Sequence, residues 1–141
     1  MQVAIALFDA LGRRDLSGFA ALFDPDFKGQ RTGNRLLNLD ECQRFWQALL
    51  GACPDLKLLM LDTFEKNNRV AVCWRCTGTH RLPLRDVLGN PPITATHRAF
   101  ILDGTLILEI RGTRIIRAWN YFDRLGLMEQ LGLLNVPSLR Q

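Results

Sequence analysis

A chain of 141 residues with 48% hydrophobic side chains is long enough for one domain with a real core and too short for two, so residues 1–141 are read as a single domain. Charged residues at 23%, with 11 Gly and 6 Pro, exclude a disordered chain, a collagen-like repeat and a coiled coil. No window reaches about eighteen uninterrupted apolar residues, and Asp9 stands early with no basic stretch before it, so neither a membrane span nor a signal peptide is expected.

Val3 to Leu11 carries apolar residues compatible with an amphipathic helix that Gly12 ends. Asp15 or Ser17 caps a short second helix bearing Phe19, Leu22 and Phe23, which Pro25 stops. Asn38, three residues before Glu41, starts a third helix in which Cys42, Phe45, Trp46, Leu49 and Leu50 recur at three- and four-residue steps until Gly51 and Pro54. The period then changes to two. Leu56 to Glu65, the Asn67-Asn68 turn and Val70 to Thr79 read as a hairpin, Arg81 to Ala95 as a loop, and Thr96 to Ile110 as an extended segment. Gly112-Thr113 turns the chain into Arg114 to Phe122, and Arg124 to Leu133 closes it as a helix. Helices first and an antiparallel meander afterwards predict an α+β cone, in which helices pack on a curved sheet and enclose a pocket.

The net charge of +4 suggests an acidic partner, but Arg13, Arg14, Arg31, Arg44, Arg69, Arg98 and Arg114 are scattered, so no nucleic-acid partner is expected. Cys73 and Cys76 form a C-x-x-C pair. In a strand, residues three apart point to opposite faces, so these sulfurs diverge; no second pair completes a zinc site. The cysteines read as small buried hydrophobes in a reducing, cytoplasmic setting.

No nucleophile elbow, phosphate loop, dinucleotide fingerprint or zinc-protease helix occurs, which leaves chemistry without metal or organic cofactor. The acid/base candidates are His80, His97, Asp62, Asp103, Glu109 and Asp123. Asp123 follows Trp119, Asn120, Tyr121 and Phe122 and precedes an apolar helix. Desolvation there would raise its pKa and suit it to proton transfer; the alternative is an N-cap for the last helix.

Several ordered segments resemble the SnoaL-like polyketide cyclases of the nuclear transport factor 2-like superfamily. They are the helix around Phe45, Cys53-Pro54-Asp55-Leu56, Arg69-Val70-Ala71-Val72, Trp74, Thr77-Gly78-Thr79-His80, Pro91-Pro92, and the closing run WNYFDRLGLMEQLG from Trp119 to Gly132. The resemblance implies a cone with an apolar cavity, no metal and no cofactor, closing a ring by intramolecular aldol condensation of an apolar polycyclic keto ester. Asp123 matches the acid/base aspartate of that family, and Gln30 falls on a polar pocket position. Asn120 stands where many relatives carry an acid, so His97 is a candidate to replace a missing pocket group. Glu109 reads either as a pocket residue or as an outward charge, and Trp46, Trp74, Phe100 and Trp119 as lining or support.

His80 reads as a structural residue at a strand end. Two other readings keep the fold: epoxide opening or isomerisation by Glu109, Arg111 and Asp123, and a non-catalytic ligand-binding module. Self-association into a dimer or tetramer is expected as a family trait, through the outward face bearing Cys73, Arg75 and Thr77.

Overall fold

A computed structural model describes residues 1–30, 36–85 and 91–133. In chain order the elements are α1 (Gln2–Gly12), α2 (Leu16–Ala21), β1 (Phe23–Gln30), β2 (Leu36–Leu37), α3 (Leu39–Ala52), β3 (Lys57–Lys66), β4 (Arg69–Thr79), β5 (Ala99–Arg111), β6 (Arg114–Phe122) and α4 (Arg124–Gln130). The helices pack against one curved, open sheet of six strands in the order β2-β1-β6-β5-β4-β3. From β3 to β6 it is the expected antiparallel meander, but β1 runs parallel to β6, so the sheet is mixed.

The helix signals act as their chemistry dictates. Asp15 accepts from the Gly18 N–H at 2.9 Å and starts α2. Asn38 and Glu41 form a reciprocal capping box, Glu41 N–H to Asn38 Oδ1 at 2.8 Å and Asn38 N–H to Glu41 Oε1 at 3.2 Å. In α1 the residues Ala4, Leu7, Ala10 and Leu11 form the buried stripe.

Three boundaries differ from the sequence reading. Phe23 opens β1 and does not continue the second helix, and Pro25 lies inside that strand. The β1–β6 pairing is interrupted between Phe23 and Lys28, so the missing N–H of Pro25 is not required there. The extended segment begins at Ala99 and not at Thr96, because His97 has φ +59° and breaks the strand conformation. The last helix stops at Gln130, three residues early: Gly132 turns left-handed at φ +72°, with Leu133 N–H returning to Met128 O at 2.9 Å.

Alternation along β4 sends Val70, Val72, Trp74 and Cys76 inward to a core that also holds Phe19, Phe23, Phe27, Phe100, Leu108 and Ile115. Cys73 lies on the opposite face from Cys76, and no disulfide links any of the four cysteines. Two polar devices lock the layers around this core. Gln130 pairs its amide with the backbone of Ile101 at 2.8 and 2.9 Å, which docks α4 on β5. Asp55 takes both the N–H and the hydroxyl of Thr79, at 2.8 and 2.7 Å, which ties the end of β4 to the turn before β3.

Candidate active site

Between the helices and the concave sheet lies a cavity of about 270 Å³, just under the range of roughly 300–1,000 Å³ usual for small-molecule sites. Its wall is built by Leu7 and Phe8 of α1, Phe27 and Gly29 of β1, Trp46 and Leu49 of α3, Leu102 and Leu106 of β5, and Leu127 and Met128 of α4. Polar side chains enter at few points: Gln30, Trp74, His80, Asn120 and Arg124, with the thiols of Cys42, Cys53 and Cys76. No carboxylate lines it among the described residues.

Trp74 and Asn120 form one fixed pair. Asn120 is level with Leu106 of β5, and Trp74 is level with Gly104. A Cβ on Gly104 would collide with the indole of Trp74 and with the backbone oxygen of Tyr121, so only glycine leaves the ring room to lie over β5. From there Trp74 Nε1–H donates to Asn120 Oδ1 at 3.0 Å. Gly104, a glycine in the interior of the strand β5, is the sequence signal for this close approach.

His80 forms the second fixed point, just past the end of β4, where the sequence reading placed a structural residue. It is 2% exposed and the one polar residue buried in the core among the described residues. Its Nδ1 accepts from the Thr96 N–H at 3.3 Å and stands 3.2 Å from Thr96 Oγ1. The opposite nitrogen, Nε2, is buried with no hydrogen-bond partner. Burial pushes the imidazole below its ordinary pKa of 6.5 and the neighbouring His97 adds to the shift, while the backbone of Leu82 pulls it back in part. The sequence clues were its place in the Thr77-Gly78-Thr79-His80 segment and just past the end of the strand reading. Its burial comes from pairing with residues sixteen to eighteen positions later: His80 N–H to Arg98 O at 3.0 Å, and His97 N–H to His80 O at 2.8 Å.

Cys53 and Cys76 are driven toward the neutral thiol by burial, their pKa values raised to about 11 and about 12. Neither is an activated nucleophile. Among the described residues no group of three or more His, Cys, Asp or Glu is arranged to hold a metal ion.

Of the residues singled out from sequence, Gln30, Trp46, Trp74, His80, Phe100 and Asn120 line the cavity together. Trp119, Glu109, His97, Arg111 and Asp123 do not. Trp119 neighbours Asn120 in the same strand and so takes the opposite face, where the Arg69 guanidinium lies 5.3 Å from its ring centroid. Glu109 is also outside the cavity, 3.5 Å from Arg69. His97 is exposed on its left-handed turn. Arg111 pairs with Asp24 at 3.1 Å, so Glu109, Arg111 and Asp123 are not assembled around the cavity as epoxide opening would need.

Asp123 is exposed, in contrast to the desolvated setting expected for it, and its Oδ1 accepts from the Gly126 N–H at 2.8 Å as the N-cap of α4. It stands beside the wall and not in it, between the lining residues Phe122 and Arg124.

Comparison with known proteins supplies the family. The family model described as SnoaL-like polyketide cyclase matches residues 2–131. No curated protein matches the sequence. Among solved structures the chain is similar to AclR, a candidate hydroxylase from Streptomyces galilaeus, at 21% identity over 95% of this chain and 96% of that one, with a TM-score of 0.80. A candidate SnoaL-like polyketide cyclase from Jannaschia gives 19% identity, coverage of 95% and 92%, and a TM-score of 0.79. IdmH, a candidate polyketide cyclase from Streptomyces antibioticus, gives 21%, 93% and 96%, and 0.74. At these identities the structural likeness establishes the fold alone.

Proposed function

Because this chain belongs to the SnoaL-like polyketide cyclase family, we propose that it is a cofactor-independent enzyme that takes a ring-containing, largely apolar keto compound into the cone and closes a carbon ring there. One observation carries the reading: an apolar, partly enclosed wall interrupted by a few oriented hydrogen-bonding groups, the composition of a site for an apolar body bearing carbonyl oxygens.

In an intramolecular aldol closure the acidic α-proton of a keto ester leaves, the enolate carbon attacks a ketone of the same molecule, and the alkoxide is protonated. Nothing is oxidised or reduced. The wall supplies the folded geometry that brings the two carbons together. Asp123 is the proposed base at the rim, adjoining Phe122 and Arg124 of the wall. Its carboxylate must leave the α4 cap to reach a substrate, and Asp123→Asn isolates that step because asparagine caps a helix about as well as aspartate. Turnover of aromatic keto esters that is lost in Asp123→Asn, with ligand binding kept, supports the assignment.

The absence of a carboxylate from the described part of the wall favours a second reading, a cavity that binds such compounds without converting them. Binding by the wild type with no product from any keto ester would establish it. Pairing of two copies through the outer sheet face belongs to the same proposal. Leu59, Leu61, Phe64, Ile101 and Tyr121 are exposed there, beside the Arg75–Asp103 ion pair.

A further inference from the structure

Arg124 gives the cavity a full charge that nothing around it balances. It opens α4, and Leu127 and Met128, three and four residues on, share with it the helix face that lines the cavity. The residue is nevertheless exposed, so its stem follows the apolar wall while the guanidinium stays at the rim. Among the described residues it is the only side chain of the wall that is charged at neutral pH. His80 is pushed toward the neutral imidazole, and Cys53 and Cys76 toward the neutral thiol, each chiefly by burial.

Several surface arginines are matched by acids. Arg13, Arg44, Arg75 and Arg111 lie within 3.1 Å of carboxylate oxygens of Asp9, Asp40, Asp103 and Asp24. No ion pair or hydrogen bond holds the Arg124 guanidinium among the described residues. The adjacent Asp123 is turned to the Gly126 N–H as the cap of α4, at 2.8 Å. A guanidinium against an apolar wall is less screened than one in open water, and its planar fork presents two parallel N–H groups that match the two oxygens of a carboxylate.

Resting on the cavity reading above, we propose that the ligand is a ring-containing carboxylate: its ring body occupies the apolar interior and its carboxylate pairs with Arg124 at the rim. The anion keeps part of its hydration there, so the pairing does not carry the full cost of burying a charge. The same division of polarity orients the ligand, ring innermost and carboxylate outermost. For ring closure, the α-carbon next to that carboxylate stays on the rim side, toward Asp123, and the guanidinium offsets the negative charge that builds when its proton leaves.

The test uses the full chain and three probes with one ring body: 2-naphthoate, methyl 2-naphthoate and 2-naphthylmethylammonium. Isothermal titration calorimetry at neutral pH gives the three affinities. The ester is the most apolar of them, so an apolar wall alone ranks it first. The expected results are roughly ten-fold tighter binding of the carboxylate than of the ester at low salt, a gap that narrows as salt rises, and weakest binding of the ammonium. In Arg124→Gln the order reverses in favour of the ester, and Arg124→Lys, which keeps the charge without the fork, recovers part of the preference. Both variants change an exposed side chain and are expected to unfold thermally as the wild type does. A carboxylate preference that survives in Arg124→Gln overturns the proposal. A wild type that binds the ester as tightly as the carboxylate, or more tightly, overturns it while leaving the apolar cavity reading intact: Arg124 is then a stem that covers the wall with its head in water. Binding of none of the three overturns both.

Discussion

Trp74 and Asn120 lie two strands apart, on β4 and β6, and are joined at 3.0 Å across the intervening β5 at the one place where that strand carries no side chain. Gly104 makes the crossing possible. Substituting it with alanine forces the indole out of its seat, an overpacking that costs about 1–3 kcal/mol. Urea unfolding of Gly104→Ala, read by tryptophan fluorescence, is expected to show that loss with a changed native emission. An unshifted midpoint and spectrum would mean the indole does not lie over Gly104.

Removing the other half of the pair has a different signature. Asn120→Leu leaves the indole N–H without its acceptor in a half-buried site and is expected to cost about 1–3 kcal/mol. Asn120→Asp keeps an acceptor for Trp74 and is expected to retain more stability than Asn120→Leu at neutral pH. Equal destabilisation by the two would remove the hydrogen bond from the account.

Asp123 separates by substitution into its cap and any catalytic part. Asp123→Ala loses the bond to Gly126 and is expected to cost about 1 kcal/mol, whereas Asp123→Asn stays near wild type. Chemical denaturation of both variants checks the cap. Equal losses would show that the side chain stabilises by charge and not by capping.

Acid unfolding is expected in two stages. His80 is held below 6.5 in the native state, chiefly by burial, so between that lowered value and 6.5 the unfolded chain binds more protons. Stability therefore rises with pH across this window and begins to fall on acidification from about 6.5. The second stage belongs to Asp24, Asp55 and Asp103, whose pKa values are lowered by hydrogen bonds, the largest from the Asp26 backbone, the Thr79 hydroxyl and Arg75 respectively. Their contribution is present above the ordinary carboxylate value and disappears as pH falls through the native ones. Urea midpoints between pH 8 and 5 should decline in the wild type and stay flatter in His80→Leu; parallel curves would rule His80 out as the source.

Pairing through the outer sheet face predicts a concentration-dependent dimer at micromolar protein, and Phe64→Lys, which places a charge among exposed apolar residues, is expected to give monomer. Sedimentation velocity decides. A wild type that is monomeric throughout removes the pairing.

Much of this protein follows from its sequence alone. The Asn38–Glu41 box, the Asp15 cap, the Asn67 and Gly112 turns and the two-residue period of β4 are local, because each depends on residues within a few positions that fix hydrogen bonds or side-chain direction. Local pattern also makes Trp119 and Asn120 face opposite ways, so both could never line one cavity. Which of the two faces inward depends on the side from which the helices cover the sheet, and tertiary structure decided for Asn120. It likewise buried His80 through Thr96 and Arg98, left Asp123 exposed as a cap, and put Phe23 to Gln30 into a strand by offering β6 as a parallel neighbour. These outcomes rest on partners distant along the chain, and a sequence pattern specifies a face without specifying what will cover it.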